Sequence, residues 1–323
     1  MFEARVNQGT MWKKVIESVK ELVTEANFDC TPTGISIQAM DTAHVALVNL
    51  LLRRDGFSVF NCERPAILGV NLGNLAKILK TTETNDMITL RRDDDSDVLS
   101  VIAEDTQGNK TSEFNMRLME IEAEQMGIPE MDYHTSVSLP SAEFAKICRD
   151  MSIFGDTVTV SVARDGVKFS AGSEMGEGFA MLKAGPRHAA AASDNETATR
   201  RPKSEMKDEV KKERKAGVKA EPVSDDVPVE TDAMVPPEKP SKAASSAAAA
   251  AAAGTDLGVV ISLEEPVTLS FALRYFNTFA KGAALSDRVN LHLANDSPCM
   301  IEFKIEGLGY LRYYLAPKVD ASE

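Results

Sequence analysis

Met11-Trp12-Lys13-Lys14-Val15-Ile16-Glu17-Ser18-Val19 is answered 132 positions later by Glu143-Phe144-Ala145-Lys146-Ile147-Cys148-Arg149-Asp150-Met151. Trp12 falls on Phe144, Lys14 on Lys146, Val15 on Ile147, Ile16 on Cys148 and Val19 on Met151. The register runs on through alternating strands: Phe28 falls on Val160, Cys30 on Val162, Gly34 on Gly166, Ile35 on Val167 and Ile37 on Phe169. Further along the offset becomes 201, where Leu72 meets Leu273, Leu75 meets Phe276, Ile78 meets Phe279, Lys80 meets Lys281 and Asp86 meets Asp287. An internal repeat decides architecture before any short motif does. The offsets differ by 69 residues, so the chain carries two similar halves with an insertion of that length in the second.

The local patterns fill in the halves. Residues 10–23 read as an amphipathic helix with Met11, Val15, Val19 and Leu22 on one face, and 72–80 as a second, carrying Leu72, Leu75, Ile78 and Leu79. Alternating runs at 35–37, 45–52, 87–90, 99–102 and 110–118 read as strands, the run Arg-Arg-Asp-Asp-Asp-Ser-Asp (91–97) as a solvated hairpin turn, and Ser141 as the cap of the third helix. Residues 119–135 have no repeat partner and read as a connector. The segment 185–256 is rich in Ala, Lys, Glu, Pro and Ser and nearly free of aromatics, a composition that predicts disorder. By the repeat it extends an exposed hairpin loop. The organisation expected is therefore a first domain 1–118, a connector 119–135, a second domain 136–319 interrupted at 185–256, and a tail 320–323.

Composition bounds the function. The 323 residues carry a formal net charge of -13, which argues against nucleic acid unless basic residues are segregated on one surface. They are: Lys13, Lys14 and Lys20 share the first helix, Lys77 and Lys80 the second, Lys146 and Arg149 the third, Arg274 and Lys281 the fourth. Spacings of three and seven (77/80, 146/149, 13/20, 274/281) put the members of each such pair on roughly one side. A solvated lysine face is the ordinary explanation for one such helix; four repeat-related helices favour a common basic surface. Acids such as Asp93, Glu120, Glu122 and Glu124 fall on turns and the connector. Outside 185–256 there are 24 Lys+Arg against 36 Asp+Glu, an acidic body with a basic face. Cys30, Cys62, Cys148 and Cys299 are scattered and read as buried free thiols. No apolar run reaches the ~20 residues of a membrane span, and the start lacks the pattern of a signal peptide.

At this point several stretches taken together resemble the proliferating cell nuclear antigen family, the eukaryotic DNA sliding clamps. They are Phe-Glu-Ala-Arg (2–5), Gln-Ala-Met-Asp-x-x-His-Val (38–45), Gly-Val-Asn-Leu (69–72), Glu-Gln-Met-Gly-Ile-Pro-Glu (124–130), Ile-Cys-Arg-Asp (147–150), Asp-Gly-Val-Lys-Phe-Ser (165–170), Phe-Ala-Leu-Arg-Tyr (271–275) and Tyr-Tyr-Leu-Ala-Pro-Lys (313–318). The resemblance covers about 1–184 and 257–319. It implies an α+β fold of two topologically similar clamp domains, each with two helices on curved antiparallel sheet. It also implies a homotrimeric ring whose helices line a hole for double-stranded DNA, read without sequence specificity. The nine basic residues named above match its DNA-facing positions. Lys110, Phe114, Gly178 and Met181 would lie at the subunit joint.

The resemblance also implies a pocket for short peptides with one aliphatic and two aromatic anchors, at Met40, His44, Val45, Leu47, Met126, Ile128, Pro298, Tyr314, Ala316 and Pro317. Leu315 is expected to be exposed there with its neighbours. Partners of this kind are the clamp loader, DNA polymerases, flap endonuclease and ligase, in replication, translesion synthesis and mismatch repair in the nucleus. One departure stands out: Arg164 occupies the position of the family's main ubiquitin-accepting lysine. Lys168, or Lys211 and Lys219 in aliphatic-Lys-x-acid patterns, are then candidate modification sites, and 200–215 a candidate import signal.

Enzyme readings find little. The run 93–97 lacks the glycine and terminal glutamate of a calcium loop, no glycine-rich loop ends in Lys-Ser/Thr, and the four histidines have no ligand spacing. No catalytic residue, metal or cofactor is expected. A subunit of the related heterotrimeric checkpoint clamps is the remaining alternative, disfavoured by the match at the peptide pocket.

Overall fold

The computed structural model describes residues 1–94, 96–122, 131–184, 258–295 and 297–318. The two halves trace the same path. The first runs β1 (Phe2–Val6), α1 (Thr10–Val19), β2 (Glu25–Thr31), β3 (Gly34–Met40), β4 (Ala46–Arg53), β5 (Val59–Cys62), β6 (Ala66–Asn71), α2 (Leu72–Lys80), β7 (Met87–Arg92), β8 (Val98–Glu104) and β9 (Thr111–Arg117). The second runs β10 (Thr135–Pro140), α3 (Ser141–Met151), β11 (Thr157–Ala163), β12 (Gly166–Ser173), β13 (Gly176–Lys183), β14 (Val260–Leu263), β15 (Val267–Ala272), α4 (Leu273–Phe279), β16 (Arg288–Leu293), β17 (Cys299–Ile305) and β18 (Gly309–Leu315). The strand registers keep the repeat offset near 132 as far as β13 and at 201 from β14 to β17, so the extra length of the second half lies between Lys183 and Val260.

Each half builds a five-stranded and a four-stranded antiparallel sheet. In the first these are β5-β1-β7-β8-β9 and β4-β3-β2-β6; in the second, β14-β10-β16-β17-β18 and β13-β12-β11-β15. The halves are welded by one pairing, β18 against β4, from Gly309 opposite Leu52 to Leu315 opposite Ala46. That pairing makes a nine-stranded sheet; among the described residues β9 and β13 each keep one unpaired side, as do the edge strands β5, β14 and β15, while β6 has only an isolated bridge from Gly69 to Met119.

Alternation explains which face of the sheet is covered. Ala46, Val48, Leu50 and Leu52 of β4 point to the core, as do Leu311, Tyr313 and Leu315 of β18. The helices bury Trp12, Val15, Ile16 and Val19 of α1, Leu72, Leu75 and Leu79 of α2, Phe144, Ile147 and Met151 of α3, and Phe276 and Phe279 of α4 against it. Gly34 and Gly309 sit where strands cross closely: a Cβ at either would stand 2.1 or 1.9 Å from a carbonyl oxygen of Leu52 or Leu51.

Several expectations shift. α1 ends at Val19, and Leu22 lies beyond it in the turn that leads to β2, partly buried there. Arg91 and Arg92 belong to β7, so the acidic turn is shorter than the run suggests. Ser141 is not the cap of α3: Pro140 holds that position, and the buried Ser141 hydroxyl has no hydrogen-bond partner among the described residues. Leu315 is 1% exposed, because β18 keeps its alternation to the end and turns that side chain under the helices. All four cysteines are buried free thiols, and burial pushes Cys30, Cys148 and Cys299 well above the ordinary thiol range. No helix of the described residues is long and apolar enough to cross a membrane.

Candidate functional site

Two surfaces gather the expected residues, on opposite sides of the sheets. The first is the outer side of the helices. Lys14, Lys77, Lys80, Lys146, Arg149 and Arg274 are exposed on α1 to α4, while Lys281 sits on the short 3-10 turn Ala280–Ala284 that follows α4 rather than on the helix itself. The layer is continuous: the Ser18 hydroxyl of α1 reaches the Lys281 carbonyl at 3.3 Å.

The cations on this face are not equivalent. Lys13 turns away: its ammonium donates to the Thr82 and Glu83 carbonyls, so its charge serves the end of α2. Lys20 and Lys80 share Glu17, at 2.8 and 3.6 Å. Burial acts to raise the Glu17 pKa, but the two lysines outweigh it and hold the carboxyl below its usual value. Lys146 lies 3.8 Å from Glu143. Acids therefore stand on the helices themselves as well as on the turns. Glu17 and Glu143 are spaced i,i+3 from Lys20 and Lys146, a pairing that the sequence spacing contains. The Arg274 guanidinium lies 4.7 Å over the Tyr275 ring. Lys14, Lys77, Arg149 and Lys281 make no side-chain ion pair among the described residues.

The second surface lies on the face of the nine-stranded sheet turned away from the helices, where Leu47 and Met300 are each 8% exposed. Register places Met40 opposite Leu47, Leu47 opposite Tyr314, Tyr314 opposite Met300 and Met300 opposite His292. Directly paired residues point to the same side, so these form one row across five strands. Val45, 37% exposed, and the exposed Ala316 extend one end, joined by a hydrogen bond from the Ala316 amide to the Val45 carbonyl at 3.2 Å. Pro298 accepts from the Tyr133 hydroxyl at 3.1 Å, and the Tyr133 ring lies 5.7 Å from that of His292. Sequence reasoning named Met40, His44, Val45, Leu47, Pro298, Tyr314, Ala316 and Pro317 but missed Met300, His292 and Tyr133; strand register adds the first two, and contacts with Pro298 and His292 add Tyr133. Met126 and Ile128 lie outside the described residues.

The loop that carries His44 is fixed by Asp41, whose carboxylate accepts from the amides of Val45 and Ala46 at 2.9 and 2.8 Å and of Ala43 at 3.3 Å. It also accepts from the Tyr275 hydroxyl at 2.6 Å. Burial works to raise the Asp41 pKa, yet the Tyr275 hydroxyl and the amides hold it below the ordinary carboxyl value. His44 itself is left-handed, with φ at 55°.

Of the residues expected at a subunit joint, Lys110 precedes β9, Phe114 lies on it, and Gly178 and Met181 lie on β13. Phe179, beside Gly178, is 67% exposed. Arg164 is exposed at the β11–β12 turn. Lys168 is exposed on β12, its ammonium 4.8 Å over the Phe179 ring. Lys211, Lys219 and 200–215 lie outside the described residues. In the acidic turn Asp93 pairs with Arg91, and Asp94 with the N-terminal amine.

Two like halves, each with two helices on curved antiparallel sheet and a lysine-bearing outer helix face, define the chain as a protein of the sliding-clamp class. It belongs to the proliferating cell nuclear antigen family: the model of that family's N-terminal domain matches residues 1–126, and that of its C-terminal domain matches 127–236 and 245–318. The match extends through 185–236, beyond the motif-bearing residues, and leaves out 237–244.

Proposed function

We propose that three copies of this chain close head to tail into a ring around duplex DNA, and that the ring tethers replication and repair factors through peptides docked on the Met40–Leu47–Tyr314 row. The observation that carries this is the weld inside the chain. It joins the last strand of a five-stranded sheet, β18, to the outer strand of a four-stranded sheet, β4. The same two kinds of edge, β9 and β13, remain open at the ends of the chain's sheets. A contact of the same geometry between chains is heterologous and closes by rotation. It also covers edges that would otherwise invite uncontrolled pairing.

Carrying the β18–β4 register onto β9 and β13 by their places in the repeat puts Phe114 opposite Phe179, Lys110 opposite Lys183 and Asn115 opposite Gly178. An aromatic as exposed as Phe179 on an open edge is what such a joint would bury.

With the ring closed, the basic helices face the hole. Cations on phosphate give affinity without reading bases, which suits sliding. Topology holds the ring, so each contact can stay weak. On the docking row, Met40 and Met300 offer thioethers that repack around different partners. Peptides of the clamp loader, polymerases, flap endonuclease and ligase are the occupants proposed, in the nucleus. The chain supplies no chemistry of its own in this reading. At Arg164 the charge is kept but no isopeptide bond can form, which turns modification toward Lys168, Lys211 or Lys219.

Light scattering at micromolar concentration tests the ring: a mass three times the 35.0 kDa chain is expected, and a monomer sinks it.

A further inference from the structure

The docking loop between β3 and β4 belongs to the first half, yet its central anchor comes from the second. Asp41, 7% exposed, gathers three loop amides, and its fourth partner is the hydroxyl of Tyr275, 234 residues away on α4 and 6% exposed. The loop needs such an anchor, because His44 holds a left-handed conformation that residues with a Cβ rarely adopt. Tyr275 is in turn gripped by Arg274, whose Nη2 donates to the same hydroxyl at 3.0 Å. Arg274 is exposed on the basic helical face. A hydroxyl that accepts from a cation becomes a stronger donor, because each bond polarises the next. The three groups thus form one contiguous chain of hydrogen bonds from the outer side of the helices to the docking loop.

We propose that Tyr275 is a positioning residue for the docking loop, and that Arg274 acts on the loop only through the Tyr275 hydroxyl, so that a phosphate drawing the guanidinium away loosens the loop and weakens peptide docking. The inference rests on the reading of the loop as one wall of the peptide site. Its sign follows from geometry: the guanidinium has five N–H donors, so the loop loosens where phosphate moves Nη2 out of its 3.0 Å bond to Tyr275, not through a shared proton. By linkage, a docked peptide then weakens the grip of Arg274 on DNA by the same factor.

Tyr275→Phe removes one oxygen and keeps the ring, which packs against Phe279. The test uses the full chain, a labelled peptide with one aliphatic and two aromatic anchors, and three variants: Tyr275→Phe, Arg274→Gln and the double. Expected are losses of peptide affinity of about five- to tenfold for Tyr275→Phe and about twofold for Arg274→Gln, with the double no weaker than Tyr275→Phe alone, the non-additivity of groups in one network. Wild-type affinity in Tyr275→Phe, or an undiminished Arg274→Gln effect on the Phe background, overturns the proposal. Amide hydrogen exchange without peptide supplies the independent arm. In Tyr275→Phe the Val45 and Ala46 amides should exchange faster while those of β8, remote from Asp41, keep their protection. Unchanged protection at Val45 and Ala46 overturns the role of Tyr275 whatever the peptide does. A wild-type chain that fails to bind the peptide sinks the docking reading instead, and the exchange comparison still decides whether Tyr275 holds the loop.

Discussion

The hydroxyl of Tyr313 donates to the carbonyl of Ser18 at 2.9 Å, a buried bond between the last strand of the second half and the first helix of the first. Tyr313 is fully buried, with its ring stacked on Phe279 at 4.3 Å between centroids. Burial drives its pKa far above the usual phenol range, so it stays a donor at every working pH. This bond and the β18–β4 weld tie the two halves together. Tyr313→Phe leaves the Ser18 carbonyl without that donor in a dry site, which costs about 1–3 kcal/mol. A denaturation midpoint lowered by that amount, with unchanged slope, is expected; an unchanged midpoint contradicts the account.

Phe179 decides assembly in the proposed ring. Phe179→Asp places a charge opposite Phe114 at the joint but costs the single chain little, since the side chain is 67% exposed there. Light scattering should report monomers with near wild-type circular dichroism. A trimer that survives the substitution removes β13 from the joint.

Glu17 sets how many cations the helical face offers. Its carboxylate holds both Lys20 and Lys80. Glu17→Gln releases them to phosphate, and each added contact steepens the fall of log K with log salt by about 0.9. Tighter binding and a steeper slope are expected in a duplex-binding titration, and Lys77→Glu should shift both the other way. Equal slopes in wild type and Glu17→Gln argue against DNA on this face.

His292 gives the stability of the fold a pH dependence. Its pKa in the fold lies below the ordinary 6.5: burial lowers it most, Glu302 opposes, and Arg312 and Lys304 add to the lowering. The unfolded chain therefore takes the proton first as pH falls, and stability declines from about pH 6.5 downward until the folded pKa is passed. His292→Gln should flatten denaturation midpoints measured between pH 7 and 5. A wild-type midpoint that rises on acidification in that window contradicts the direction.

Much of this was legible in the chain because it is local. Helical period, strand alternation and the two repeat offsets each depend on residues a few positions apart, so α2, the β2–β3 hairpin and the lysine-bearing helices could be read directly. The limits were also local in origin. Pro140 displaced Ser141 from the cap of α3, and the period of β18 persisted through Leu315, where a short Ala-Pro-Lys ending suggested an exposed tail.

The sequence by itself determined that there are two like halves, that the added length belongs to the second, and that cations gather on the helices of an acidic chain. Only the tertiary structure decided that β18 and β4 weld the halves and leave β9 and β13 open. It alone decided that Met300 and His292 continue the Met40–Leu47–Tyr314 row, that Glu17 disarms Lys20 and Lys80, and that Asp41 is held by Tyr275. The physical reason is range: the Asp41–Tyr275 partners stand 234 residues apart and the Tyr313–Ser18 partners 295. Pairings of that kind leave no periodic trace; they exist only once sheet register has brought the two halves side by side.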